Sequence, residues 1–423
     1  MLRRRHHAQT QVAGEAEGRQ ETHEDRWIGG DPAGSVHGRP QDGSQLTPAG
    51  LYLHVPFCAR ICPYCDFAVL TGDRERRRTF VEHLLAEIDL HADSPLEFDT
   101  IYFGGGTPSC LEPEDLARIV HRARTRLHTA ADTRIFLEAN PEDVSPESVA
   151  AWRQLGVDTL SLGIQALNRE GLKFLGRLHD PGSAERSVTL SREAGFRTVS
   201  MDLIYGLPGQ SAADWQDELD RALALQPDHI SCYQLTIHRG TRFGVMEKRG
   251  TLTQLSPDAQ GELFHLTHRH LNASGMQGYE VSQFAATVKH RSRHNQKYWD
   301  HSPYLGLGPS AHSYSEGRRW WNFRNTSTWQ EKIAAGVRPV EEMETLDAQA
   351  LTLEAMMTGF RTYAGVDLEQ IRRRWGMDLR ATNADHIRRL AGEGLVTVHG
   401  DRLSPTRDGL AVADSLVRSF DLS

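Results

Sequence analysis

No stretch of this sequence runs the roughly twenty consecutive apolar residues that a membrane-crossing helix requires, so an integral membrane protein is not expected. Charge of one sign is not in excess: 48 lysines and arginines stand against 56 aspartates and glutamates, a net of −8. That balance favours solubility and offers no broad electropositive surface for nucleic acid. Cysteines are few and odd in number, five in 423 residues. Three of them fall between positions 58 and 65, too crowded for a secreted disulfide framework and better suited to metal. A reducing, cytoplasmic compartment is therefore expected. The opening Met1-Leu2-Arg3-Arg4-Arg5-His6-His7 has no apolar stretch behind its charges, so a secretion signal is not expected. A mitochondrial transit peptide fits little better, because Glu15, Glu17, Glu21, Glu24 and Asp25 follow so soon.

What the chain does contain is a regular alternation. Residues 1 to 48 are rich in Gly, Gln, His, Arg and Glu, lack hydrophobic periodicity and read as a disordered extension. Short apolar runs then recur at Leu51 to Val55, Thr100 to Phe103, Arg134 to Leu137, Thr159 to Ile164, Thr198 to Ile204 and His229 to Leu235, each with the look of a buried strand. Helical stretches lie between them, among them Arg76 to Leu90, Pro113 to Leu127, Ser183 to Ala194 and Ala213 to Leu225. Six β/α units imply a parallel sheet curled into a partial barrel, with reactive groups on the loops after the strand carboxyl ends. After a helix near Ala259 to Ser274, the segment from Gly278 to about Trp329 is aromatic and glycine-rich and reads as strands and turns extending the barrel. From Leu346 onward helical patterns surround two short strands, Leu395 to Val398 and Arg402 to Ser404, a small helical domain with a β-wing. The expected fold is thus α/β, a partial (β/α)6 barrel over residues 49–285 with an extension over 286–340. A winged-helix-like α+β domain follows over 341–423.

The chemistry starts directly after the first strand, in Cys58-Ala59-Arg60-Ile61-Cys62-Pro63-Tyr64-Cys65-Asp66-Phe67. Three thiolates on one loop suit an iron-sulfur cube and leave one of its irons without a protein ligand. That open iron is suited to chelation by the amino and carboxylate groups of S-adenosylmethionine (SAM), whose carbon-sulfur bond an electron from the cluster then cleaves to a 5′-deoxyadenosyl radical. The competing reading is a structural zinc site, which ordinarily wants a fourth ligand and a second Cys-x2-Cys pair. No second pair exists; Cys110 and Cys232 are single and distant, and read as inert small residues.

Preceded by Leu51-Tyr52-Leu53-His54-Val55-Pro56-Phe57, the Cys-x3-Cys-x2-Cys loop resembles the radical SAM superfamily, specifically its coproporphyrinogen-dehydrogenase-like branch, over residues 50 to 420. The resemblance implies a [4Fe-4S] cluster on Cys58, Cys62 and Cys65, with SAM on the free iron. It also implies roles for residues after the later strands. The stretch Gly104-Gly105-Gly106-Thr107-Pro108, whose glycines admit a ligand close to the backbone, corresponds to the one that binds the methionine amino group. Glu138, in Leu137-Glu138-Ala139-Asn140-Pro141, is suited to ribose hydroxyls. Gln165, Arg177 and Asp202 align with further SAM-contacting positions, and Arg177 is suited to the methionine carboxylate. For these three the plainer reading is a helix cap or a surface salt bridge. Tyr52 and His54 alternate on the first strand and either line the cavity or pack in it.

Two members of that branch share the scaffold: oxygen-independent coproporphyrinogen III dehydrogenases, which decarboxylate propionate side chains to vinyl groups, and HemW-type haem chaperones. The dehydrogenase pattern carries a fourth cysteine two residues after the third, where this chain has Asp66 and then Phe67, and residues 1 to 48 show nothing like the segment that helps close its substrate site. His294-Asn295-Gln296-Lys297-Tyr298-Trp299 matches the His-Asn-x-x-Tyr-Trp signature of the chaperones. Imidazole is a common haem ligand and aromatic rings pack on porphyrins. His294, Asn295, Tyr298 and Trp299 are therefore the haem-site candidates, with His290, His301 and His312 as alternates among 21 histidines. Against this stands the reading that His294, Asn295 and Tyr298 only tie down a turn before a strand at Tyr304. Tyr304-Leu305-Gly306-Leu307-Gly308-Pro309-Ser310-Ala311-His312 also fits the branch, its glycines suggesting close backbone approach to a ligand. One departure is His238, where the family usually places glutamate.

The expectation is a haem chaperone that binds cluster, SAM and haem and passes haem to proteins such as respiratory cytochromes, with at most peripheral membrane association. The alternatives are the dehydrogenase and a radical SAM enzyme on an unrelated substrate. DNA binding by the winged-helix-like module is not expected without a basic recognition face.

Overall fold

The computed structural model describes residues 47–422. The extension expected over residues 1 to 48 lies outside the described residues, apart from its last two positions, which already belong to the first strand. The six apolar runs become β1 (Thr47–Val55), β2 (Leu96–Gly105), β3 (His128–Ala139), β4 (Val157–Gln165), β5 (Thr198–Tyr205) and β6 (His229–Gln234). They pair in parallel and in chain order.

Between them run α1 (Arg74–Leu90), α2 (Pro113–Arg126), α3 (Pro146–Gln154), α4 (Arg169–Phe174), α5 (Pro181–Glu193) and α6 (Ala212–Ala224). The helix starts are written locally. The side chains of Asp73, Ser145, Asn168, Asp180 and Ser211 each accept a hydrogen bond from the first helical turn, satisfying donors that no intrahelical carbonyl reaches.

Strand alternation then divides the side chains between two faces. Leu51, Leu53, Val55, Ile101, Phe103, Ile135 and Leu137 pack with Phe80, Leu84 and Ile88 of α1 and Leu116 and Ile119 of α2 in one core, each burial stabilising by about 1.5–3 kcal/mol. The intervening residues, Tyr52, His54, Tyr102, Gly104, Phe136 and Glu138, take the opposite, concave face, which gathers polar groups among aromatic rings.

The sheet continues past both ends of this parallel run. Beyond β6, after α7 (Pro257–Ala273), come β7 (Gln277–Glu280) and β8 (Gln283–Ala285). Beyond β1 come β9 (Tyr304–Leu307), β10 (His312–Ser315), β11 (Arg318–Asn322) and β12 (Val340–Thr345). The order is β12-β11-β10-β9-β1-β2-β3-β4-β5-β6-β8-β7, so the curl stays open.

The segment expected as strands and turns also holds two helices, α8 (Arg293–Trp299) and α9 (Thr326–Ala334). The first corrects the reading of this segment as strands and turns, and replaces the alternative of a turn at His294 with a helix. Ser292 caps it through Asn295 N, and five of its seven residues are buried.

The C-terminal part packs α10 (Ala348–Gly359), α11 (Leu368–Trp375) and α12 (Ala384–Gly392) against β13 (Val366–Asp367), β14 (Val396–His399) and β15 (Arg402–Pro405). Its own core includes Met356, Phe360, Leu390, Leu403 and Leu416. The Thr358 hydroxyl ties it to the barrel by donating to Trp299 O at 3.3 Å.

Candidate cofactor site

The cysteine loop is pinned to the end of β1 at both of its ends. Cys58 N donates to Leu70 O at 3.0 Å and Leu70 N to Pro56 O at 2.8 Å. His54 Nε2 lies 2.9 Å from Ala68 O. Cys58, Cys62 and Cys65 are all free and half-buried. Burial pushes the Cys58 thiol up and Cys65 up to about 12, so binding iron must displace protons from them. Among the described residues no group of three or more His, Cys, Asp or Glu is disposed to hold a single metal ion. Three thiolates that each serve a different corner of a cube have no need to converge on one point.

The glycine strip is fastened to the same loop. Gly106 N donates to Val55 O and Thr107 N to Phe57 O, both at 2.7 Å. A Cβ on Gly106 would stand 2.5 Å from Phe57 O, and one on Gly104 would meet Tyr102 at 2.9 Å, Tyr52 at 3.0 Å and Glu138 Oε1 at 3.2 Å. The first glycine thus lets two backbones touch, and the second leaves space where three functional side chains meet.

A chain of side-chain hydrogen bonds closes the arrangement from one cysteine to another. The Thr107 hydroxyl donates to Cys58 Sγ at 3.4 Å and accepts from Asn140 Nδ2 at 3.1 Å. Arg177 Nη2 donates to Asn140 Oδ1 at 2.5 Å and to Gly163 O at 2.9 Å, and its Nη1 to Cys62 Sγ at 3.6 Å. Asn140 is the member the sequence reading did not single out. Its partners lie 33 and 37 positions away, and a lone Asn before Pro141 carries no local sign of them.

Deeper on the concave face, the Tyr102 hydroxyl donates to Glu138 Oε1 at 2.7 Å. Ser161 Oγ donates to Asp202 Oδ2 at 3.2 Å. Burial raises both carboxyls, Asp202 to about 7. Gln165 ends β4 with a φ of 67°, a left-handed backbone uncommon for a side-chain-bearing residue. Tyr52 points its hydroxyl at His54 Nδ1, 3.2 Å away. His238 comes to rest with Nδ1 3.7 Å from Asp66 Oδ2, beside the third cysteine.

The haem candidates do not sit in an open cleft. His294 is 1% exposed, with Nδ1 2.8 Å from the Thr100 hydroxyl and Nε2 2.8 Å from the Tyr298 hydroxyl. In this conformation both ring nitrogens are engaged by hydroxyls. Asn295, Tyr298 and Trp299 are buried beside it. His290 pairs with Thr198, and His301 is buried against Tyr314. His312 is half-buried, its ring tilted against Trp321 with centroids 5.6 Å apart.

Comparison with known proteins gives this geometry its context. Residues 52–222 match the Radical SAM superfamily and residues 346–412 the HemN C-terminal domain. Over 380 residues the chain is 37% identical to a Mycobacterium tuberculosis protein named Heme chaperone HemW, covering 88% of this chain and 95% of that one. The chain belongs to the HemW family of radical SAM proteins. An Escherichia coli HemW is 36% identical over 324 residues, covering 75% of this chain and 83% of that one. The solved structure of Escherichia coli coproporphyrinogen III oxidase, HemN, described as a radical SAM enzyme, superposes with a TM-score of 0.77 at 22% identity, covering 89% of this chain and 90% of that one. That likeness establishes the shared fold.

Radical SAM membership carries a 4Fe-4S cluster and SAM, and the side chains of this HemW-family member suit both. Three free thiols occupy one loop. Among the described residues Arg177 Nε is buried with no hydrogen-bond partner, a donor suited to a carboxylate.

Proposed function

We propose that this chain is a haem chaperone that carries a 4Fe-4S cluster and SAM and hands haem to haem proteins. The observation that carries the reading is agreement over 88% and 75% of the chain with two proteins named Heme chaperone HemW. In this reading Cys58, Cys62 and Cys65 hold the cluster, and Gly104, Gly105, Gly106 and Thr107 receive the SAM amino end. Arg177 takes the carboxylate on its unpartnered Nε. Glu138 meets the ribose, while Tyr52, Gln165 and Asp202 line the rest of the pocket.

When bound, the cluster supplies a single electron to a sulfonium. The chain's own contribution is positional. Thr107 and Arg177 each touch a cysteine sulfur and meet through Asn140, so the cluster loop and the SAM pocket are held in one register. Burial raises the carboxyls of both Glu138 and Asp202 above the usual range.

Asp66 and Phe67 occupy the place of the dehydrogenase's extra cysteine, which favours delivery over porphyrinogen turnover. Respiratory cytochromes are acceptors of the expected kind, in the cytoplasm or at the membrane surface. Among the described residues no helix is long and apolar enough to cross a membrane. Several exposed arginines of the C-terminal module are paired with acids, Arg372 and Arg373 with Glu369 and Arg388 with Asp385, which reduces the positive charge this module could offer to nucleic acid.

The test is anaerobic reconstitution followed by two assays on one preparation. Haem is titrated into wild type, His294→Phe and His312→Ala, and products are analysed with coproporphyrinogen III and SAM. Stoichiometric haem uptake by wild type without vinyl product is expected; turnover to protoporphyrinogen would show the dehydrogenase instead.

A further inference from the structure

The geometry points to the His-Asn-x-x-Tyr-Trp helix as a positioning device for the SAM site: His294, clamped by Thr100 and Tyr298, fixes the ring of Tyr102 and through it the carboxylate of Glu138. This rests on the reading that Glu138 faces SAM. It assigns the signature a role other than haem ligation.

The helix is anchored on β2 immediately beside the residues that form the pocket. Lys297 Nζ and Arg293 Nη2 each stand 2.8 Å from Asp99, and Arg293 Nη1 reaches Asp132 at 2.9 Å. The next residue along β2, Thr100, holds His294 Nδ1. One step further on the same face is Tyr102, whose ring stacks on His294 with centroids 4.9 Å apart and planes 30° from parallel.

Space around that imidazole is already filled: a Cβ on Gly50 would come within 2.9 Å of His294 Cε1. A tyrosine has only two side-chain torsions, so fixing its ring plane fixes where its hydroxyl goes. Here the hydroxyl goes to Glu138 Oε1, at 2.7 Å. Gly104, lacking a Cβ, leaves room for this pair. The helix also touches the C-terminal module, since Trp299 O accepts from Thr358. A shift of that module therefore has a physical route to the Glu138 carboxylate.

The experiment measures SAM dissociation constants by equilibrium dialysis on anaerobically reconstituted protein of full cluster content. Haem stoichiometry and thermal midpoint are read on the same samples. Tyr298→Phe and Tyr102→Phe each remove one hydroxyl without changing shape. His294→Phe keeps the stack and removes both hydrogen bonds. Glu138→Gln reports on the underlying reading.

We expect Glu138→Gln and Tyr102→Phe to weaken SAM binding by about tenfold, and His294→Phe and Tyr298→Phe by about threefold to tenfold, the scale of one buried hydrogen bond. Cluster content and haem stoichiometry should match wild type. Unchanged SAM affinity in both Tyr298→Phe and His294→Phe overturns the proposal, as does loss of haem stoichiometry in His294→Phe with SAM affinity intact. Should Glu138→Gln bind SAM like wild type, the assignment of Glu138 itself fails and the positioning role goes with it.

Discussion

Arg177 and Asn140 are joined at 2.5 Å across the mouth of the barrel, and this contact links a residue placed by α4 to one placed by the end of β3. Because Asn140 also donates to Thr107, its amide joins the Arg177 side of the circuit to the Cys58 side, accepting from one and donating to the other. Asn140→Leu keeps the volume and removes both functions, at a cost of about 1–3 kcal/mol for each buried polar group left unpaired. SAM affinity should fall about tenfold, measured by dialysis, with all three cysteines still binding iron. Affinity within twofold of wild type would show that Gly163 O and Cys62 Sγ hold Arg177 without Asn140.

Gly104 and Gly106 separate two kinds of crowding. An alanine Cβ at position 106 meets carbonyl oxygen on Phe57, which cannot move without unseating the cysteine loop. The expected destabilisation is about 1–3 kcal/mol, seen as a lower thermal midpoint together with loss of reconstituted iron. At position 104 the added methyl meets only the ends of Tyr102, Tyr52 and Glu138. Gly104→Ala should keep its midpoint and its iron while losing SAM affinity. Equal behaviour of the two variants would remove the distinction.

The parallel barrel was legible because each strand carries a short run of core-facing apolar residues between turn signals. Its limits were less so. The run Arg134 to Leu137 marks only the end of β3, whose first residues from His128 are exposed or half-buried and have no hydrophobic signature. Helix α8 fell within a segment read as strands and turns for a related reason. Its buried side chains include His294, Asn295 and Lys297, polar groups whose burial depends on partners at Asp99 and Thr100. Periodicity cannot register a helix whose inner face is hydrophilic. The three cysteines needed no such help, since spacing alone brings them onto one loop.

Those cysteines should differ sharply from the remaining two. Cys232 is buried in β6, and the Cys110 thiol lies against Phe57 O at 4.0 Å, pushed up to about 12 by burial. Serine at 58, 62 or 65 should abolish the iron-sulfur absorbance of anaerobically reconstituted protein, because each removes one of three anchoring ligands. Cys110→Ser and Cys232→Ser should keep full iron and sulfide. Iron content at wild-type level in Cys65→Ser, or its loss in Cys110→Ser, would redraw the ligand set.

Glu87 makes a pH signature remote from the cofactor site. Its carboxylate lies under the barrel extension, accepting from Gly308 N at 2.8 Å, Asn322 Nδ2 at 2.6 Å and Trp329 Nε1 at 3.1 Å. All three partners are neutral, so burial prevails over the hydrogen bonds and raises the group from 4.5 to about 8. The folded protein thus holds this proton more tightly than the unfolded chain. Stability from this group is fully present below pH 4.5 and is lost as pH climbs to about 8, a change on the order of a few kcal/mol. Glu87→Gln cannot titrate and must lack that component. Chemical denaturation across the interval should show the wild-type advantage over Glu87→Gln shrinking with rising pH and levelling off above 8. If the two stability curves instead run parallel, Glu87 is ionised throughout and its three donors outweigh burial.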